Sequence, residues 1–384
     1  MRVTHVITRL IVGGAQENTV SCVLGLKDKR GLNVDLISGP SYGPEGSLED
    51  RFAGRPGTLR ILPELVRPVR PWKDWKALGR LRRLFSQERP DIVHTHSGKA
   101  GVLGRLAAAG AGVPVIVHTI HGPSFGAFQG TLSNWPLRLA ERHAAKVTTH
   151  FITVADAMKR QYLAAGIGRP DQYTRIFSGF RLEPFLSATN DLQLRAQFGI
   201  GPQDIVVGKI ARLFRLKGHA DLFRVAPALV NKCPQIKFLL VGDGEWRERF
   251  GNQAREMGLE KHFVFAGLVP PEAVARLVGI MDLVVHLSVR EGLARALPQA
   301  LAAARPVVAY DCDGAGEVCL DNETGFLVKP GNLAELQDRV LQLAADRQLR
   351  VRLGQRGRQF TRERFAEDRM VDDLHALYER LVCN

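Results

Sequence analysis

The run Ile205-Val206-Val207-Gly208-Lys209-Ile210-Ala211 is apolar but for Gly208 and Lys209. It stops at a polar turn, Arg212-Leu213-Phe214-Arg215-Leu216-Lys217-Gly218-His219, beyond which helical patterning begins. A near-continuous apolar strand of this kind suits a parallel sheet covered by helices on both faces. The alternation of run and helix repeats downstream at Ile236–Val241, Phe263–Ala266, Leu283–Leu287, Pro306–Tyr310 and Gly325–Val328. Upstream it repeats at Val3–Thr8, Val34–Ser38, Leu59–Leu62, Ile92–Thr95, Val115–Thr119, Phe151–Val154 and Tyr173–Phe177. The turn-rich interval 178–202 between the two series reads as a linker. The pattern predicts two doubly wound α/β domains in tandem, over 1–185 and 186–365. A final amphipathic helix, 366–384, carries Met370, Leu374, Leu377, Tyr378 and Leu381 on one stripe and is expected to pack back on the first domain.

Composition agrees. The 384 residues are 45% hydrophobic and 24% charged, which excludes disordered, collagen-like and coiled-coil chains. No stretch approaches the roughly 18 apolar residues of a membrane-spanning helix. The N-terminal residues, charged at Arg2 and Arg9, read as a first strand rather than a signal peptide. Cys22, Cys233, Cys312, Cys319 and Cys383 are scattered with no C-x-x-C pair, a reduced, cytoplasmic usage. The net charge of +14 is lopsided: 26 Lys and Arg against 14 Asp and Glu in residues 1–190, but 27 against 25 in residues 191–384. The first half thus meets something anionic, such as a phosphorylated small molecule, an acidic lipid headgroup or nucleic acid, or merely carries a basic face.

In open α/β sheets ligands bind beyond the carboxyl ends of the strands, which directs attention to the loops there. Gly13 and Gly14 precede a helix after the first strand, where backbone N–H groups can approach an anion. This is not G-x-G-x-x-G, and no acidic residue follows a second strand, so a nicotinamide dehydrogenase is disfavoured. Arg212 and Lys217 offer a guanidinium fork and an ammonium suited to a diphosphate. Val241-Gly242-Asp243-Gly244 is another tight turn into a helix. Glu291 ends the run Leu283–Leu287 with a carboxylate suited to sugar hydroxyls, and Gly292, Leu293 and Ala294 can present backbone donors. Taken singly, each of these is equally a solvated turn or a helix cap.

Together, in this order and spacing, they resemble the family-4 type of retaining, nucleotide-sugar-dependent glycosyltransferases. The most specific part is 206–309: A-R-L and K-G, then V-G-D-G, F-A-G-L-V, E-G-L and A-L-A-A-A-R-P-V-V-A. The resemblance implies the GT-B fold, two tandem Rossmann-like parallel-sheet domains with a cleft between them. It assigns Arg212 and Lys217 to the donor diphosphate, Glu291 to the donor sugar, and the backbone at Val269 to the base. Gln299 stands where the family's E-x7-E motif has its second Glu, which normally binds the ribose; Gln keeps an acceptor oxygen but loses the charge. Pro298 beside it should kink its helix. In the first domain Gly13 and Gly14 match the loop that closes over the donor phosphates, and His121 matches a histidine near the transferred sugar. The resemblance also implies that no metal or other cofactor is required.

Several features compete with that reading. His94 and His96 alternate at a strand end and share a face, but the sequence offers no third metal ligand at fixed spacing. His118 reads as a sheet residue. Asp311-Cys312-Asp313 is a D-x-D in the wrong context, and its residues read as loop residues. The segment 66–87 carries Arg67, Arg70, Lys73, Lys76, Arg80, Arg82 and Arg83 beside Trp72, Trp75, Leu78, Leu81 and Phe85. It suits either an anionic membrane surface or an ordinary covering helix. No nucleic-acid module is present. The expectation is a cytoplasmic enzyme, peripheral on the inner face of the membrane. It would move a sugar from a UDP- or GDP-linked donor to a glycan or lipid-linked acceptor in cell-surface polysaccharide or lipopolysaccharide synthesis. A nucleotide-sugar epimerase or hydrolase on the same fold, or a non-catalytic nucleotide-sugar-binding module, are the alternatives.

Overall fold

In the computed structural model, which describes residues 1–43, 46–126 and 130–383, every one of those apolar runs becomes a strand. In chain order they are β1 (Arg2–Ile7), β2 (Asn33–Ser38), β3 (Leu59–Ile61), β4 (Ile92–His96), β5 (Val115–Ile120), β6 (His150–Thr153) and β7 (Tyr173–Arg175). The second series is β8 (Ile205–Ile210), β9 (Ile236–Val241), β10 (Phe263–Gly267), β11 (Leu283–His286), β12 (Val307–Tyr310) and β13 (Gly325–Val328). They form two sheets, ordered β3-β2-β1-β4-β5-β6-β7 and β10-β9-β8-β11-β12-β13, and every pairing within them is parallel.

Both sheets wind outward from an interior strand and then jump back across it. The order therefore reverses between β1 and β4, and again between β8 and β11. Loops leaving the two strands at such a switch point diverge and leave a crevice at their carboxyl ends. The loop with Gly13 and Gly14 leaves β1, while those with Lys217 and Glu291 leave β8 and β11.

The chain divides into two units, Met1–Phe180 with Glu367–Asn384, and Arg181–Ala366. The interval 178–202 is not the plain linker expected from its composition. It holds the short helices Glu183–Leu186 and Leu192–Gln197, the second capped by the Asp191 side chain. Arg195 is buried, its guanidinium donating to Asp282 Oδ2 at 2.8 Å and to the Ile280 carbonyl at 3.1 Å. A buried arginine must find such partners, and here they come from the second unit.

The final helix, Glu367–Cys383, belongs to the first unit. It buries Met370, Val371, Leu374, Leu377 and Tyr378 in one core with Val20, Val23 and Leu26 of the helix Gly14–Arg30. The two helices approach closely because Gly25 has no side chain: a Cβ there would lie 2.4 Å from Val371 Cγ2.

The basic segment forms the helix Pro71–Glu88, and its expected apolar edge splits in two. Leu81 and Phe85 are buried beside Ala77, and Leu78 is half-buried, whereas Trp72 and Trp75 remain 65% and 64% exposed. The two indoles stack at 5.1 Å with the Lys76 ammonium over Trp72. Among the described residues, no helix is long and apolar enough to cross a membrane.

Candidate active site

Lys217 reaches its place through a backbone that demands glycine. Gly218 sits at φ +68, and a Cβ there would lie 1.9 Å from the Leu287 carbonyl oxygen at the end of β11. The β8 loop thus packs directly onto the β11 loop, and the Val289 N–H donates to the Leu216 carbonyl at 3.0 Å. Lys217 Nζ forms an ion pair with Glu291 Oε1. The Glu291 backbone N–H donates to Asp313 Oδ2 at 2.7 Å, and the Gly314 N–H donates to the Gly292 carbonyl at 3.2 Å. Loops after β8, β11 and β12 are therefore tied into one platform.

Arg212 and Gly242 flank it. Gly242, at φ +127, lies so close to the preceding loop that a Cβ would meet the Ala211 carbonyl oxygen at 2.4 Å, and its N–H donates to Gly267 at 2.9 Å. Arg212 is exposed, with its guanidinium over the Phe214 ring, and Val269 follows β10 half-buried. Gly292, Leu293 and Ala294 are buried ahead of the helix Ala296–Ala302, and no described contact joins Gln299 to Glu291. The kink expected at Pro298 does not arise. Pro298 falls in the first turn, where a backbone N–H has no intrahelical acceptor to lose, and the Gln299 N–H donates normally to Arg295 at 3.1 Å.

Burial works to raise the Glu291 pKa, but the Lys217 ammonium opposes it and the net direction is downward, so the carboxylate stays charged. Beneath the pair lies a group that sequence reasoning overlooked. Lys209, in the middle of β8, is 1% exposed, and its Nζ has no hydrogen-bond partner among the described residues. Burial, reinforced by Lys217, lowers its pKa to about 7. His219 and His286 are buried nearby and neutral, with pKa values lowered mainly by burial to about 2 and about 3. The only sequence signal was Lys209 itself, a charge inside an otherwise apolar run. Asp313 is the turn residue expected, with a left-handed backbone, φ +51, and its carboxylate in addition holds the Glu291 loop.

In the first unit Gly13 and Gly14 sit at the start of the helix Gly14–Arg30, and the Glu17 N–H donates to the Gly13 carbonyl at 2.9 Å. His121 directly follows β5, and its Nε2 lies 3.0 Å from His96 Nδ1. His118 is buried within β5 on Thr95. The third histidine that the sequence could not supply comes from β1: His5 faces His94 in the β1–β4 register. His5, His94 and His96 could offer ligand atoms within 4.8 Å of one another. Their ring nitrogens are already hydrogen-bonded, to each other, to Thr119, to Tyr378 and to His121.

Comparison with known proteins matches this arrangement. The family described as glycosyl transferases group 1 matches residues 190–360, and the glycosyl transferase 4-like domain matches residues 13–178. EpsD of Bacillus subtilis (strain 168), named as a glycosyltransferase, is 31% identical over 310 residues, 78% of each chain. The chain belongs to the family-4-type glycosyltransferases. It is therefore an enzyme of sugar transfer. A second relative of this glycosyltransferase is the Escherichia coli UDP-Gal:alpha-D-GlcNAc-diphosphoundecaprenol alpha-1,3-galactosyltransferase, 28% identical over 84% of each chain. Among solved structures, Anabaena HepE in complex with UDP and glucose superposes with a TM-score of 0.84 at 22% identity, over 99% of this chain and 100% of that one. That likeness supports the GT-B fold expected from the motifs.

Proposed function

We propose that this glycosyltransferase is a retaining, metal-independent enzyme that moves a sugar from a UDP- or GDP-linked donor to a hydroxyl of a glycan or lipid-linked saccharide. Cell-surface polysaccharide synthesis is the setting. The observation that carries the reading is the Lys217–Glu291 pair at the β8/β11 switch point. A diphosphate leaving group accumulates negative charge as the anomeric bond breaks. Lys217 and Arg212 supply positive charge where a divalent cation would otherwise act. Glu291 keeps Lys217 in place and offers its other oxygen to sugar hydroxyls. Gly292, Leu293 and Ala294 contribute backbone donors, Gly13 and Gly14 close over the phosphates, and Gly242, Val269 and Gln299 accommodate the nucleoside. His121 serves the transferred sugar. None of these groups is needed as a nucleophile when the acceptor attacks on the face the leaving group departs.

The names of relatives support a diphosphate-linked donor and a lipid-linked acceptor: one is a UDP-Gal-dependent enzyme acting on a diphosphoundecaprenol saccharide, and HepE was solved with UDP. The exposed Trp72 and Trp75, beside exposed Arg67, Arg70, Lys76, Arg80, Arg82 and Arg83, support a peripheral site on an anionic membrane.

The test is incubation of the purified enzyme with UDP- and GDP-sugars, with and without lipid-linked saccharide acceptors, and NMR of the product. The reading requires a glycoside with the donor's anomeric configuration, formed only when acceptor is present. Epimerised or hydrolysed donor in the absence of acceptor would instead point to an epimerase or hydrolase.

A further inference from the structure

A single line of hydrogen bonds crosses the core of the first unit and ends at His121. The Thr119 hydroxyl meets His94 Nε2 at 2.6 Å, and His94 Nδ1 meets the Tyr378 hydroxyl at 2.5 Å. That hydroxyl meets His5 Nε2 at 3.3 Å, and His5 Nδ1 meets His96 Nε2 at 2.9 Å. His96 Nδ1 then meets His121 Nε2 at 3.0 Å. Thr119, His94, Tyr378, His5 and His96 are all buried. Strand register explains the line: His5 faces His94 across β1 and β4, and His96 faces Thr119 across β4 and β5, while Tyr378 is contributed by the final helix.

Protons along the line can be counted. Burial holds His5 near a pKa of about 3 and His121 near about 4, and it keeps His94 and His96 well below the ordinary imidazole value. Each ring is thus neutral at pH 7 and carries one N–H. Burial likewise keeps the Tyr378 phenol protonated. His5 and His96 use both ring nitrogens within the line, so each must donate through one and accept through the other. Three orders of donors fit, and the one in which His94 and His5 both donate to Tyr378 leaves the fully buried phenol O–H with no acceptor in the line, so two remain. In the first, His121 donates from Nε2 to His96, the order runs inward, and His94 Nε2 donates to Thr119. In the second, the Thr119 O–H donates to His94, the order runs outward, and His121 Nε2 accepts from His96.

The buried end decides between them. Thr119 is 4% exposed, and among the described residues its hydroxyl has His94 as its partner. The inward order leaves the buried Thr119 O–H with no acceptor, whereas the outward order satisfies every buried donor and places its one unmatched N–H on half-buried His121 at the end of the line. Buried polar hydrogens are almost always satisfied. We propose that this line fixes His121 as the Nδ1–H tautomer, so that at the carboxyl end of β5 it presents a neutral hydrogen-bond donor and not a base. Thr119 and Tyr378 are then positioning residues, acting on His121 through the histidines between. Donation of that N–H to an oxygen of the transferred sugar rests on the transfer reading above; the tautomer itself does not.

The experiment is a long-range proton–nitrogen correlation spectrum of the full chain with ring-15N-labelled histidine at neutral pH, without sugar or nucleotide. The His121 signals are assigned with His121→Gln. The expected result is a single His121 species protonated at Nδ1, unchanged in Thr119→Ser and converted to a mixture containing Nε2–H in Thr119→Val and Tyr378→Phe. His121 protonated at Nε2 in the unsubstituted protein would overturn the proposal, and that spectrum decides even where a variant fails to fold. A tautomer indifferent to both substitutions would overturn it too. So would stoichiometric zinc held by His5, His94 and His96, because a metal would consume the lone pairs that order the line. Failure of sugar transfer in the separate assay would leave this spectrum as it is, so the two readings fail independently.

Discussion

Lys217 Nζ is ion-paired to Glu291 Oε1 across 74 residues of sequence. The sheet makes this pairing short in space: β8 and β11 are neighbours, so the loops leaving them start side by side. The resemblance treats the two residues as separate contacts, one to diphosphate and one to sugar. The structure makes them a unit in which the Lys217 ammonium offsets the burial of Glu291 and keeps that carboxylate charged.

Removing one member should therefore harm donor use out of proportion to its own contact. Lys217→Ala is expected to lower kcat/KM for the donor by roughly ten- to a hundredfold, since a charge-assisted hydrogen bond contributes about 1.5–3 kcal/mol. Arg212→Ala should act in the same direction, and Glu291→Gln should cost more than Gln299→Glu. Steady-state kinetics with fixed acceptor checks this. A Gln299→Glu variant that loses donor use while Glu291→Gln keeps it would place the motif wrongly on the helix Ala296–Ala302.

Asp313 gives a sharper contrast because its carboxylate accepts the Glu291 N–H. Asp313→Ala should loosen that loop and reduce kcat/KM about fivefold, the value of one hydrogen bond near 1 kcal/mol. Asp313→Asn, which keeps an acceptor oxygen and tolerates the left-handed backbone, should lose much less. Equal losses in the two variants would show that the carboxylate acts otherwise than by holding the loop.

Lys209 is a stability liability with a defined pH dependence. Its folded pKa, about 7, lies below the ordinary 10.5, so between these values the unfolded chain binds more protons than the folded one. Stability must then rise with pH across that interval. Lys209→Met should stabilise the protein by about 1–3 kcal/mol at neutral or lower pH, the cost of an unpaired buried polar group, and the gain should shrink toward pH 10. Urea unfolding at several pH values reads this out. A gain that grows with pH would mean that Lys209 is paired and charged in the folded state.

The helix Pro71–Glu88 makes a prediction about location. Binding to vesicles of acidic lipid should occur at low salt and fade as salt rises, with each basic residue near the surface contributing on the order of 1 kcal/mol. Changing Arg80, Arg82 and Arg83 to Ser should weaken it, and Trp72→Ala with Trp75→Ala should weaken it further, because both indoles are exposed. Sedimentation indifferent to both sets would leave this as a covering helix.

The interior strands were legible because they are buried on both faces and so are largely apolar, as Val206–Val207 and Val284–Val285 illustrate, whereas the edge strands β3, β7 and β10 are only partly buried. The motif residues after β8 and β11 were legible through their spacing. What escaped depends on pairings that sequence does not state. Period-two alternation places His94 and His96 on one face, but only the β1–β4 register brings His5 opposite His94. Asp313 looked like any turn residue until the loop after β12 was found against the loop after β11. The division between the two units does fall within 178–202, but the helices there escaped because Arg195 gives no local sign that its partners are Asp282 and Ile280. The Trp72 and Trp75 positions match the helical stripe in sequence, yet of that stripe the structure buries only Leu81 and Phe85, with Leu78 half-buried.

The most direct test of the central claim is calorimetric titration of UDP and GDP into the unsubstituted protein and into Lys217→Ala. One of the two nucleotides should bind, and its affinity should fall roughly ten- to a hundredfold in the variant, the loss of about 1.5–3 kcal/mol from one charge-assisted contact. Binding of neither nucleotide, or an affinity unchanged by Lys217→Ala, would contradict it.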